Sequence, residues 1–357
     1  PAPTRGAPVP ERLRVAVAAT VDDESRRIVT EREPRVDLVV GPELLAPQRY
    51  EGDQGGDPAF RRTPEQQRAY EELLDGADAL FGVPDDDPAA LARAVRANPR
   101  LRWVHTMAAG GGQSVRAARL TDEELQRVAF TTSAGVHGTP LAEFALLGLL
   151  AGAKRLPRLQ ADSAARTWPE RWLMGQLAEQ TVLVVGLGGI GAEVARLLSA
   201  LGTTVLGASR HGRPVDGVDE VVTTDGLVGA AARADAVVVT LPGTPGTKGL
   251  LGADFFAALR PGATFVNVGR GTVVDEEALV AALDDGTVGF AALDVVAREP
   301  LEPGSPLWDR PDVLVSPHTA AGSPTLDHRI AELFADNATR LLDGRELRNR
   351  VDVVEFY

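Results

Sequence analysis

Three short apolar runs, at 13–19, 79–83 and 101–105, open the chain, each bounded by polar or loop-forming residues. Runs of that length and density suit strands buried on both faces. Between the last two, an alanine-rich stretch at 88–97 has helical character, so this part reads as a small α/β unit. Residues 52–64, rich in Gly, Asp and Pro, read as an irregular loop. A long helix is predicted over 141–156, apolar on nearly every side and therefore buried at a domain junction or against another subunit. Pro157 ends or kinks it, and a second helical stretch is expected to carry Trp168 and Trp172 as packing anchors. Strands then alternate regularly with helices. The strands are expected at 181–185, 204–208, 236–241, 263–268, 289–295 and 313–316, the helices at 192–200, 253–258 and 276–283.

Length changes this picture little: 357 residues exceed one ordinary core, so two domains are expected. Charge excludes more. A net charge of −13, spread along the chain, argues against a general nucleic-acid binder, which needs a basic face for phosphates. An anionic ligand must then be held by a few local cations or by backbone N–H groups. The absence of cysteine rules out disulfides, thiolate nucleophiles and cysteine-type zinc sites, and fits a reducing cytoplasm; no metal is expected. The greasiest stretch, 141–153, contains Glu143 and is too short to span a bilayer, so no membrane partner is expected. Residues 1–11 are proline-rich, lack an apolar signal region and read as a loose tail.

The first chemical signal is Gly186-Leu187-Gly188-Gly189-Ile190-Gly191, a G-x-G-x-x-G between an expected strand and an expected helix. In that context Gly186 makes the tight turn, Gly188 lets backbone approach a pyrophosphate, and Gly191 lets helix pack on strand. The helix N-terminus then offers unpaired N–H groups to the phosphates. The next strand should end in an acid that reads the adenosine ribose. Here Ser209 stands in that place, followed by Arg210 and Arg213, which suit a 2′-phosphate; NADP is therefore favoured over NAD.

Three more segments sit just past expected strands, where ligands of open α/β sheets bind. They are Val266-Asn267-Val268-Gly269-Arg270-Gly271, the stretch from Leu293-Asp294 to Glu299-Pro300-Leu301, and Ser316-Pro317-His318-Thr319-Ala320-Ala321-Gly322. With the glycine turn and Thr240-Leu241-Pro242, they make the chain resemble the D-isomer-specific 2-hydroxyacid dehydrogenase family along nearly its whole length. The resemblance implies a catalytic set of Arg270, Glu299 and His318. It implies that Asp294 holds the nicotinamide carboxamide and that Thr240, Leu241, Pro242 and Thr247 lie along the cofactor. Met107-Ala108-Ala109-Gly110-Gly111-Gly112 stands where the family grips the substrate carboxylate through backbone N–H groups, with Ala108, Ala109 and Gly110 as the contacts. The glycine triplet departs from the usual family pattern there. His105, just before this loop, is a candidate for lining the pocket.

The implied fold is two doubly wound parallel-sheet domains: a Rossmann NAD(P)-binding domain, 131–319, inserted into a flavodoxin-like substrate domain, 1–130 plus 320–357. A C-terminal helix over 331–342 and the segment 347–357 would close back on the first domain, with catalysis in the cleft between domains. The implied activity is hydride transfer between NAD(P)H and a small 2-keto or 2-hydroxy acid such as glyoxylate or hydroxypyruvate, in a homodimer. Two other readings stay open: a dinucleotide-binding corepressor or sensor with little turnover, and a dehydrogenase of another small anion such as formate or phosphite.

Overall fold

The apolar runs become strands because a β-rich sequence enclosed on both faces needs no polar alternation. A computed structural model describes residues 11–50, 52–354 and 356. The tail expected at 1–11 lies, except for Glu11, outside the described residues, as does Tyr357. The backbone divides into two compact units, one holding the residues up to His137 and from Gly322 onward, the other Gly138–Ala321.

In the first unit five parallel strands, β1 (Leu13–Val17), β2 (Val36–Val39), β3 (Ala79–Phe81), β4 (Trp103–His105) and β5 (Ala129–Thr131), pair in the order β2-β1-β3-β4-β5. That is the flavodoxin-like order. β2 and β5 were not expected: four and three residues long, with partly exposed positions in each, they show too little apolar density to stand out. The helices Asp23–Arg32 and Pro64–Asp75 were missed as well. Each nevertheless carries a start signal, Asp22 accepting from Ser25 N and a capping box of Thr63 with Gln66. The helix Leu326–Leu342 returns to this sheet, stacking Phe334 on Phe81 (4.3 Å between ring centres) and on Trp103 (4.5 Å). Beyond it, Val351 N donates to Phe130 O, and Asn349 Nδ2 donates to Ala134 O at 2.6 Å.

The second unit is a seven-stranded parallel sheet of β6 (Thr181–Val185), β7 (Thr204–Ala208), β8 (Glu220–Val222), β9 (Ala236–Val239), β10 (Ala263–Asn267), β11 (Val288–Leu293) and β12 (Val313–Val315). Its order is β12-β11-β10-β9-β6-β7-β8, the Rossmann order with one strand added at the far edge, and the strand order reverses between β6 and β9. The helix Gly138–Ala153 lies on this sheet. Its Gly148 and Gly152 permit the approach: a Cβ on Gly152 would sit 2.1 Å from Thr264 Oγ1, and one on Gly148 2.7 Å from the Ala292 Cβ.

Two expectations for this region need correction. The helix ends at Ala153, where Arg155 takes a left-handed φ of 52°, and Pro157 falls in the first turn of a new helix, Leu156–Ala164. Proline starts that helix because its missing N–H is one that a first turn leaves unpaired anyway. Trp168 and Trp172 lie beyond it, in a segment without regular structure. Trp168 is 98% exposed, so within this chain it anchors nothing, while Trp172 lies under the Arg158 guanidinium, 4.3 Å from Cζ to the ring centre. No helix among the described residues is long and apolar enough to cross a membrane.

Candidate active site

The glycine turn follows β6 and opens the helix Gly189–Ala200. Gly186 has φ +104°, which disfavours any side chain, and its carbonyl accepts from Thr240 Oγ1 at 2.7 Å. A Cβ on Gly191 would fall 1.8 Å from Gly186 O, so the helix sits against the strand end only because that position is glycine. Gly188, the helix N-cap, has no side-chain cap, and a Cβ there would meet nothing within 4 Å. An open backbone at an uncapped helix start is what a pyrophosphate requires, so the turn fits a dinucleotide. Gly189 and Ile190 form the first turn of that helix.

Thr240, just after β9, bridges the switch point by holding the turn after β6. Leu241 and Pro242 continue from it. Thr247 folds this loop on itself, donating to Pro242 O at 2.6 Å and accepting from Thr244 N at 2.9 Å. At the end of β7, Ser209 N donates to Val222 O, and Arg210 and Arg213 are exposed on the loop that follows.

The other candidate residues follow three adjacent strands. Asn267, Leu293 and Val315 lie in register across β10, β11 and β12, and Arg270, Asp294 and His318 come one to three residues later. Arg270 is exposed between two glycines that have no room for a side chain. A Cβ on Gly269 would meet Leu241 O at 2.6 Å, and one on Gly271 would meet Val296 O at 1.8 Å. The arginine is thereby wedged between the loops after β9 and β11. Asn267 braces the turn, accepting from Gly269 N at 3.0 Å and donating to Arg270 O at 3.3 Å.

His318 and Glu299 meet directly, Nδ1 to Oε2, at 2.7 Å, and both side chains remain partly exposed. Engaging Nδ1 leaves Nε2 as the ring nitrogen that can face a reacting oxygen. His318 has φ +53°, a left-handed conformation that costs a non-glycine residue on the order of 1 kcal/mol or more. Asp294 holds it there. Its carboxylate, 2% exposed, accepts through Oδ1 from Ser316 Oγ (2.5 Å), Thr319 N (2.9 Å) and Ala320 N (2.9 Å), while its carbonyl accepts from His318 N. The sequence reading missed Asn267 and Ser316 as supports; each is a polar residue at the end of an otherwise apolar strand, and that was the available signal.

In the first unit, the loop after β4 turns the Ala108 carbonyl inward, where it accepts from Thr106 Oγ1, Gly111 N and Ser133 N. Gly111 is pressed onto Thr106, with a Cβ position 1.7 Å from its Oγ1, which accounts for the middle of the glycine triplet. The N–H groups of Ala108, Ala109 and Gly110 meet no acceptor among the described residues. His105, a candidate for lining the pocket, is instead fully enclosed and lines nothing; burial drives its pKa down to about 3.

Residues 146–320 match the model for the NAD-binding domain of D-isomer specific 2-hydroxyacid dehydrogenases. A D-isomer specific 2-hydroxyacid dehydrogenase from Xanthobacter autotrophicus Py2, solved with NADPH and MES, superposes with a TM-score of 0.77 at 30% identity, covering 97% of this chain and 100% of that one. The chain belongs to the D-isomer specific 2-hydroxyacid dehydrogenases. Its chemistry is that of an NAD(P)-dependent hydroxyacid dehydrogenase. An NADPH-dependent glyoxylate/hydroxypyruvate reductase from Sinorhizobium meliloti, solved with NADP and sulfate, has a TM-score of 0.75 at 28% identity over 97% of this chain and 100% of that one. D-3-phosphoglycerate dehydrogenase from Mycobacterium tuberculosis is 33% identical over 294 residues, 78% of this chain but only 54% of the relative. Relatives with different substrates therefore lie at comparable distance, and family membership does not choose the acid.

Proposed function

We propose that this dehydrogenase reduces small 2-keto acids of the glyoxylate and hydroxypyruvate type to D-2-hydroxy acids, with NADPH preferred. The observation that carries the reading is the 2.7 Å Glu299–His318 pair, which follows β11 and β12 as the exposed Arg270 follows β10. Gly186, Gly188, Gly189, Ile190 and Gly191, with Thr240, Leu241 and Pro242, would hold the dinucleotide, and Thr247 would shape their loop. When bound, the nicotinamide supplies the hydride.

Arg270 grips the keto-acid oxygens through its planar fork, which matches two acceptors where lysine offers a point charge. His318 Nε2–H donates to the carbonyl oxygen as negative charge develops on it and delivers the proton that completes the hydroxyl. Glu299 orients the ring through Nδ1 and stabilises its cation; in the oxidative direction His318 accepts the proton back. The N–H groups of Ala108, Ala109 and Gly110 take the substrate carboxylate, as successive small residues with unpaired donors suit an anion. Asp294 both anchors the His318 loop and stands to receive the nicotinamide carboxamide.

The preference for NADPH rests on Ser209 in place of the ribose-reading acid and on the exposed Arg210 and Arg213. A homodimer is supported by Leu147, Leu150, Leu159, Trp168, Leu173 and Met174, six exposed large apolar side chains within residues 147–174. A cytoplasmic setting suits a chain without cysteine. The test is NADPH and NADH oxidation against glyoxylate, hydroxypyruvate, pyruvate and 3-phosphohydroxypyruvate. The reading expects the first two to be turned over best, with NADPH ahead; equal rates with both cofactors would remove the role given to Arg210 and Arg213.

A further inference from the structure

His105 takes no part in the chemistry above, yet it lies at the centre of a hydrogen-bond chain whose every proton can be assigned. Its ring is enclosed by Phe81, Trp103 and Phe334. Register pairs it with Thr131 on β5, and the nitrogens reach two hydroxyls on one side of that chain segment: Nδ1 to Thr131 Oγ1 at 2.8 Å and Nε2 to Ser133 Oγ at 3.1 Å. Trp103 Nε1 donates to Thr131 Oγ1 at 2.8 Å. An indole can only donate, so it occupies one lone pair of the Thr131 hydroxyl and leaves that hydroxyl's proton free to go to His105 Nδ1. At the other end Ser133 Oγ donates to Thr106 O at 3.1 Å and so accepts from Nε2–H. The Ser133 end requires Nε2–H, and burial keeps the ring neutral, so Nδ1 accepts from the Thr131 hydroxyl.

Ser133 is also where this chain meets the loop after β4. Its N–H donates to Ala108 O at 3.3 Å, beside Thr106 Oγ1 at 3.2 Å. In a trans peptide the C=O and the following N–H point in opposite directions. Turning Ala108 O inward therefore aims Ala109 N–H outward, among the donors assigned to the substrate carboxylate. We propose that His105 is a positioning residue: through Ser133 it fixes the Ala108–Ala109 peptide so that the loop presents its N–H groups to a carboxylate. The proposal rests on the reading of that loop as the carboxylate grip, and it identifies what a buried histidine contributes to substrate affinity.

The two amide replacements of histidine separate this from a packing role. His105→Gln places a donor near Nε2 and keeps the bond to Ser133; His105→Asn places an acceptor near Nδ1 and keeps only the bond to Thr131. Steady-state kinetics with glyoxylate and NADPH, alongside thermal unfolding, should show the keto-acid KM raised about tenfold in His105→Asn, the size of one lost hydrogen bond. kcat and the NADPH KM should stay near wild type, because a grip held equally in ground and transition states acts on KM alone. His105→Gln should lie within about threefold of wild type, at a melting temperature no higher than that of His105→Asn. Equal KM values for the two variants, or KM rising only in step with lost stability, would overturn the proposal. Ala109→Pro, which removes the N–H itself, tests the underlying reading separately. If it leaves the keto-acid KM unchanged, the loop does not hold the carboxylate. If it raises KM while His105→Asn does not, the grip stands and the role of His105 falls.

Discussion

Replacing Asp294 by alanine withdraws one carboxylate oxygen from three donors, Ser316 Oγ and the backbone N–H groups of Thr319 and Ala320. Hydrogen bonds to a charged acceptor contribute roughly 1.5–3 kcal/mol each, so simple addition gives about 5–9 kcal/mol. The donors, however, lie at the rim: Thr319 is exposed, and Ser316 and Ala320 are half-buried. Water can reach part of what alanine exposes, and about 2–4 kcal/mol is the more defensible figure. The functional cost is separate. His318 holds its left-handed φ of 53° within this loop, and with the anchor gone the backbone relaxes toward an ordinary conformation. A displacement near 1 Å at a proton donor costs on the order of 10²-fold in rate. Asp294→Asn keeps an oxygen in place and loses mainly charge assistance, so about 1 kcal/mol and a smaller rate loss are expected. Urea unfolding without cofactor isolates the structural part, and kcat/KM with saturating NADPH reports the rest. An alanine variant that loses less than 1 kcal/mol and retains wild-type kcat/KM would refute the anchoring argument.

Three further outcomes follow from named contacts. Gly191→Ala puts a methyl 1.8 Å from Gly186 O and should weaken NADPH binding at least tenfold by fluorescence titration; unchanged affinity would mean the turn does not approach the pyrophosphate. Arg270→Lys keeps charge but loses the two-point grip, and kcat/KM should fall by about 10² or more, whereas a loss under threefold would assign Arg270 a long-range role only. Glu33, hydrogen-bonded to the Arg35 guanidinium at 2.7 Å, has its carboxyl held down at about 2. Because the folded pKa lies below the unfolded one, this stabilisation is complete above about 4.5 and is lost as pH falls through about 2. Thermal melts of Glu33→Gln should therefore run below wild type at neutral pH and converge with it near pH 2; parallel profiles would contradict the linkage.

The sheet of the second unit was legible because its strands are long continuous apolar runs: 181–185 and 204–208 coincide with β6 and β7. β8 escaped notice because Glu220–Val222 is a three-residue edge strand, exposed at its first position. The candidate site residues were legible as local motifs; Gly191 was read as letting helix pack on strand, while the same use of space at Gly269 and Gly271 was not read. Gly191, Gly269 and Gly271 each face a carbonyl oxygen where a side chain would stand. What no local pattern could reveal was the cross-strand support. Ser133 and His105 are 28 residues apart, and Asp294 and Ser316 are 22 apart. Their contacts exist only once β4 lies beside β5 and β11 beside β12. The tryptophan segment was expected to be helical, but residues 167–176 have no regular structure, and Trp168 and Leu173, at 98% and 92% exposure, are not enclosed by this chain.

The central claim is that His318, oriented by Glu299, transfers the proton to a 2-keto acid. The measurement that tests it most directly compares wild type, His318→Ala and Glu299→Gln for NADPH oxidation by glyoxylate, with NADPH affinity measured in the same preparations. The account predicts unchanged NADPH binding in all three, a kcat loss of about 10²–10⁴ in His318→Ala and a smaller loss in Glu299→Gln. Turnover of His318→Ala within tenfold of wild type, at the same NADPH affinity, would contradict it.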